Sequence, residues 1–171
     1  FLHTDWERME LFPLHAHPRG ALLKERQKIF SRAADAAMDA FYEGECQAPA
    51  HLIHVTCTGY VSPSAAHKLV QNKGWQTETT VTHAYHMGCY AAIPALRIAS
   101  GAKGRSDIVH TELCSIHLRP DQHDPEQCVV QSLFADGYAR YEVSRDLDAH
   151  AAGFRIAALR EEIAPGTEEC M

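Results

Sequence analysis

The sequence predicts a layered α/β fold, a sheet whose strands are joined by crossover helices. Three observations carry this. Segments of helical period alternate with short β-rich runs, the order that crossover connections produce. The run His51-Leu-Ile-His-Val-Thr56 is short and β-branched, as a strand buried on both faces is. The 171 residues, 46% hydrophobic and 22% charged, are enough to bury a real core in one domain without staples.

The first helix is predicted over residues 18–44. Leu22, Leu23, Ile29, Phe30, Ala33, Ala37, Met38 and Phe41 recur at three and four, Pro18 suits a first turn and Gly44 a cap. His3, Trp6 and Phe12 are expected to pack on that helix. The strand at 51–56 ends where Gly59, Ser62 and Pro63 break it; an ordinary trans turn proline is the default for the Ser62–Pro63 bond, with a cis bond as the hypothesis beside it. A second helix is expected over 64–72 and a β-rich segment over 79–85, leading into His86-Met87-Gly88-Cys89. Residues 90–100 read as a buried helix closed by Gly101, with Pro94 beyond the first turn and therefore kinking it. A third strand follows at 107–114. Asp124 is an N-cap with Pro125 at the first helical position, and that helix runs to Phe134 before Gly137. Two further strands are expected at 138–143 and 154–159, joined by a polar link over 146–150.

Sixteen Lys and Arg stand against 22 Asp and Glu, a net charge of −6, and the basic residues are scattered, which argues against nucleic acid as a partner. The apolar stretches break well before the roughly 18 residues of a membrane span, and no charged region precedes an apolar one as in a signal peptide. No membrane association is expected. Six cysteines without a Cys-x-x-Cys pair read as thiols of a reducing cytoplasm. The chain begins at Phe1 and is expected to be part of a longer protein.

The most informative place is Gly88-Cys89. A nucleophile on a sharp strand-to-helix turn projects from the sheet at a helix N-terminus, where unpaired N–H groups and the dipole favour an anion. Gly88 removes a side chain that would crowd an approaching carbonyl. The alternative is that Cys89 packs as a small buried hydrophobe.

The blocks His51-Leu-Ile-His-Val-Thr-Cys-Thr-Gly59, His86-Met-Gly-Cys-Tyr-Ala-Ala-Ile-Pro-Ala-Leu-Arg-Ile-Ala99, Glu112-Leu-Cys-Ser-Ile-His117 and Gln131-Ser-Leu-Phe-Ala-Asp-Gly137 occur in that order. Together they resemble the type III polyketide synthases, the chalcone synthase-like family, in its bacterial branch. The closing Ile163-Ala-Pro-Gly166 resembles that family's mid-chain segment. The resemblance implies a thiolase-like layered αβαβα fold, of which residues 1–171 form an incomplete N-terminal half. It implies a homodimer that works without cofactor or metal on an acyl-CoA or acyl-carrier-protein thioester and a malonyl thioester. The family's acyl-accepting cysteine falls on Cys89 and its aromatic gatekeeper on Phe134. Thr56, Cys114 and His117 fall on positions that shape the acyl or elongation cavity. The His and Asn that meet the enolate oxyanion in the family match no segment here and are expected in a C-terminal half outside this chain.

The implied activity is decarboxylative Claisen condensation to a polyketide such as an alkylpyrone or resorcinol. Two alternatives stand beside it: a stand-alone ketosynthase joining two carrier-bound β-ketoacyl chains into an α-pyrone, and a non-catalytic thiolase-fold subunit. Retention of Cys89 speaks against the last. A metal reading of His83-x-x-His86-x-x-Cys89 is disfavoured, because residues three apart on a strand point to opposite faces. The pair His15 and His17 and the pairs Glu161-Glu162 and Glu168-Glu169 read as solvated surface.

Overall fold

The computed structural model describes residues 9–85, 88–145 and 152–166. Its elements are α1 (Leu23–Phe41), β1 (His51–Thr56), α2 (Ala65–Lys73), β2 (Thr80–Tyr85), α3 (Ala92–Gly101), β3 (Ser106–Glu112), α4 (Pro125–Leu133) and β4 (Gly137–Val143). Short 3₁₀ turns stand at Gly88–Tyr90 and Cys114–His117.

The strands form one sheet in the order β2-β1-β3-β4. β1 pairs in parallel with β2 and β3, and β4 returns antiparallel to β3. A parallel centre needs cover on both faces, and β1 supplies apolar side chains to both. Leu52 packs with Phe30, Ala34 and Met38 of α1 and Leu69 of α2. Its neighbour Ile53 points the other way, to Ala95 and Ala99 of α3. Helix, sheet, helix is thus the layering, and the predicted strand at 51–56 is found at those residues.

Local chemistry sets the helix ends. Ser64 Oγ accepts from the His67 backbone N–H at 3.3 Å to open α2, and Gly74, at φ 75°, closes it in the left-handed conformation. Asp124 caps α4 through the Gln127 N–H at 2.9 Å, with Pro125 first in the helix. The Ser62–Pro63 bond is cis.

Three expectations are corrected. α1 starts at Leu23, not at Pro18, because residues 17–20 make a turn: the Gly20 N–H bonds His17 O at 2.8 Å with φ +79°. The Arg26 side chain packs onto Gly20, where an added Cβ would come within 2.8 Å of its guanidinium. Pro94 is the third residue of α3, inside the first turn, where backbone N–H groups have no helical partner, so it removes no bond. Residues 154–159 form no strand: no neighbouring strand pairs with them, and Phe154 is fully exposed. Just beyond this segment the chain meets α3, through an ion pair between Arg97 and Glu161. Phe12 is buried under the Arg26 guanidinium, 5.8 Å from its ring centre, as a residue packed on α1 should be. His3, Trp6, His86 and the link over 146–150 lie outside the described residues.

β4 is fastened by charge. Asp107 of β3, fully buried, accepts from Tyr42 Oη at 2.7 Å and Arg140 Nη2 at 2.9 Å, with Arg105 Nε 3.3 Å from its other oxygen. Arg140 Nη1 also donates to Phe41 O at 2.6 Å, joining β4 to the end of α1. Among the described residues no helix is long and apolar enough to cross a membrane.

Candidate active site

Parallel strands end together, and side chains at their C-terminal edge meet whatever the following turns bring. β1 ends in Thr56, with Cys57 and Thr58 just beyond, and β3 ends in Glu112. Here the chain closes a network around one carboxylate. Glu112 Oε1 accepts from the Cys57 N–H at 3.0 Å, and Oε2 accepts from the Thr58 N–H at 3.2 Å, Thr58 Oγ1 at 2.7 Å and Thr56 Oγ1 at 3.2 Å. Thr58 Oγ1 in turn accepts from the Leu113 N–H at 2.8 Å. The edge of the sheet is therefore tied together at this point, with four donors of residues 56–58 on one carboxylate.

Above this edge lies a cavity of about 980 Å³. Val55, Cys57 and Thr58 line one side, His110 and Glu112 of β3 the floor, and the turn holding Cys114 and His117 a wall. α4 leans over it with Val130, Leu133 and Phe134, and Cys89 with Ala91 and Ala92 completes the rim.

Each wall has an identifiable support. The His117 Nε2–H donates to Thr58 O at 2.7 Å. The Asp136 carboxylate accepts from the Ser115 N–H and hydroxyl, both at 2.8 Å, which ties the segment after Phe134 to the turn after β3. Arg26 reaches from α1 to carbonyls of the same turn, Ile116 and Leu118, while also bonding Ala21 O at 2.7 Å and Arg19 O at 2.7 Å. His110 stacks on Tyr141 of β4 and bonds its hydroxyl at 2.9 Å.

Cys89 is exposed and sits in the 3₁₀ turn Gly88–Tyr90 between β2 and α3. The strand, tight turn and helix follow in the predicted order, with the helix starting at Ala92, two residues later than expected. Two further thiols, Cys57 and Cys114, share the cavity. Burial first, then the Glu112 carboxylate and the neighbouring thiols, pushes Cys57 up to about 11. Cys114 is raised for the same leading reasons. Both are held as thiols at neutral pH. Burial also lowers His110, leaving its ring neutral.

Of the five predicted site residues, the structure brings Cys89, Phe134, Cys114 and His117 to one cavity. Thr56 is fully buried beneath the rim and reaches it through Glu112 and Thr58. Sequence reasoning missed Cys57, Thr58, His110, Glu112 and Asp136. Glu112 had a signal, as the charged first residue of the Glu-Leu-Cys-Ser-Ile-His block at a strand end. The Asp136–Ser115 tie had none, because its partners are far apart in the chain.

Several known proteins are similar to this chain. The chain is 28% identical over 149 residues, 82% of its length, to 3,5-dihydroxyphenylacetyl-CoA synthase of Amycolatopsis orientalis, and covers 40% of that protein. It is 33% identical over 96 residues, 53% of its length, to "Probable polyketide synthase 1" of Dictyostelium discoideum, and covers 3% of it. The chain thus spans less than half the length of these curated relatives. Among solved structures it resembles the C-terminal type III polyketide synthase domain of Steely1 from Dictyostelium, with TM-score 0.58 and 28% identity over 72% of this chain and 36% of that one. It resembles 1,3,6,8-tetrahydroxynaphthalene synthase of Streptomyces coelicolor A3(2) similarly, with TM-score 0.59 and 25% identity over 71% of this chain and 38% of that one. The layered α/β arrangement is that of their thiolase-like fold. Residues 15–146 match the model of the N-terminal domain of chalcone and stilbene synthases, and the chain belongs to that family.

Proposed function

We propose that this chain is the nucleophile-bearing part of a type III polyketide synthase, with Cys89 as the acyl acceptor. The single observation that carries the reading is that Cys89, on its exposed turn, opens onto the same cavity as Phe134, whereas Cys57 and Cys114 on that cavity are half-buried. The Cys89 sulfur attacks the carbonyl of an acyl thioester, the bond from that carbonyl to the donor sulfur breaks, and the donor leaves as a thiolate. A malonyl thioester then loses carbon dioxide, and its carbanion attacks the Cys89 thioester. The new carbon–carbon bond forms as the carbon–sulfur bond breaks, returning the Cys89 thiolate.

In this reading the aromatic ring of Phe134 packs against the malonyl group, and Cys114 and His117, which line the same cavity, limit the growing chain. Thr56 acts at one remove, by fixing Glu112. The oxyanion donors that condensation requires are assigned to a C-terminal half beyond this chain, and the working unit to a homodimer. The donor is an acyl-CoA or a carrier-protein thioester.

The test is Cys89→Gln in the full-length protein, supplied with acyl-CoA and malonyl-CoA. A Gln amide resembles the acylated cysteine, so carbon dioxide release from malonyl-CoA should continue while no condensation product forms. Product formation at the wild-type rate would overturn the assignment.

A further inference from the structure

His110 stands two residues before Glu112 on β3, so its Cα lies about 7 Å further along the strand from the edge at which the Glu112 network closes. Its surroundings at that depth are apolar. Val55, its pairing partner on β1, lines the same cavity, as do Ala91 and Ala92 where α3 begins. An imidazole is the polar group set among them.

The ring is held in one orientation. It stacks on Tyr141 of β4 with the planes 23° and the centres 5.5 Å apart, and Nε2 lies 2.9 Å from the Tyr141 hydroxyl. The other nitrogen, Nδ1, has no hydrogen-bond partner among the described residues, yet it is not one of the unpartnered atoms enclosed in the core. It therefore borders open space, and the space that His110 lines is the cavity. Its polar neighbours at the sheet edge are engaged by contrast: Glu112 accepts four donors, and Thr58 Oγ1 donates to Glu112 while accepting the Leu113 N–H.

The chemistry of a neutral imidazole says what fits Nδ1. Where the Tyr141 hydroxyl donates to Nε2, Nδ1 carries the ring proton and donates; where Nε2 donates to Tyr141, Nδ1 accepts. A hydroxyl serves in both cases, since it accepts as well as donates. An alkyl chain serves in neither and buries the nitrogen unpaired, and a site with a hydrogen-bonding group discriminates against such a ligand.

Resting on the assignment of Cys89 as acyl acceptor, we propose that His110 determines specificity, its Nδ1 binding a hydroxyl on the acyl group that Cys89 carries. Acyl thioesters with a hydroxyl at the depth of β3 residue 110 are thereby selected over plain alkanoyl thioesters. Tyr141 is a positioning residue that fixes the ring for this contact.

The experiment gives the full-length protein competing pairs of acyl-CoAs in the absence of malonyl-CoA. Each pair is an ω-hydroxyacyl-CoA and the unsubstituted acyl-CoA of equal chain length, in a series of increasing length, and the two adducts on Cys89 are quantified by mass spectrometry. At the length that reaches His110 the hydroxylated adduct should exceed the other by roughly 5–100-fold, the worth of a buried polar group left unpaired. Shorter pairs should load equally. His110→Leu should abolish the preference, and Tyr141→Phe, which keeps the stacked ring but removes the hydroxyl on Nε2, should weaken it. Equal loading by the wild type at every length, or a preference that survives in His110→Leu, would overturn the inference and leave Cys89 as the acceptor. No adduct on Cys89 from any pair would overturn the acceptor reading and this inference with it.

Discussion

At Gly59 an added Cβ would lie 2.2 Å from the ring of Phe30, which is fully buried against the sheet. Neither side can give, because the ring is enclosed by α1, α2 and β1 and the glycine follows the Thr58 hydrogen-bond hub. Gly59→Ala should therefore destabilise the fold by about 1–3 kcal/mol, the usual cost of overpacking. Urea unfolding of the variant measures it, and an unchanged midpoint would show that the loop relaxes freely. The sequence marks Gly59 only as a strand breaker; its second duty, making room for an aromatic ring on another element, is a tertiary contact with no local signature. Cys89 was legible for the opposite reason, since its Gly-Cys turn is a local motif lying between a strand and a helix. Glu112 shows the intermediate case. Its position at a strand end is visible in the sequence, but its four donors come from residues 56–58 and become partners only once β1 and β3 pair in register.

Among the elements, the central strand β1 was readable to the residue, because burial on both faces favours a short run of apolar and β-branched residues and that preference is written locally. α4 was readable from its Asp-Pro start, although none of its residues is buried among the described ones and its apolar face looks over the cavity. Where the reading failed, a partner from elsewhere decided the outcome. The helical period of α1 extends back to Leu22, yet the turn at Gly20 and the Arg26 guanidinium halt it, because Arg26 is needed to bind carbonyls on both sides. The β-rich composition of 154–159 had no strand beside it, and composition alone does not make a ladder. The cavity is thus assembled from turns whose positions are fixed by long-range bonds, and these are the features a linear reading recovers least well.

For the molecule as a whole, the Asp107 cluster is the point where α1, β3 and β4 are locked together. Removing its carboxylate leaves Arg140 without its buried acceptor, Arg105 without its ion-pair partner and Tyr42 without its bond. Breaking a buried pair in this way costs about 3–5 kcal/mol. Against a total stability of about 5–15 kcal/mol, Asp107→Ala should lose most of its cooperative unfolding transition on thermal denaturation. A variant that melts like the wild type would mean that β4 is held by its ladder alone. Among the described residues none after β4 lines the cavity, but Tyr141 supports His110 on the cavity floor, so this lock bears on the site as well as on the fold.

The central claim is chemical: one thiol of the cavity accepts the acyl group and the others do not. Its most direct measurement is peptide mapping by mass spectrometry of the full-length protein after exposure to an acyl-CoA without malonyl-CoA. The account predicts an acyl adduct on Cys89, lost when iodoacetamide is added first, with Cys57 and Cys114 unmodified. An adduct distributed over the exposed Cys46 and Cys128 with Cys89 unmodified would contradict it.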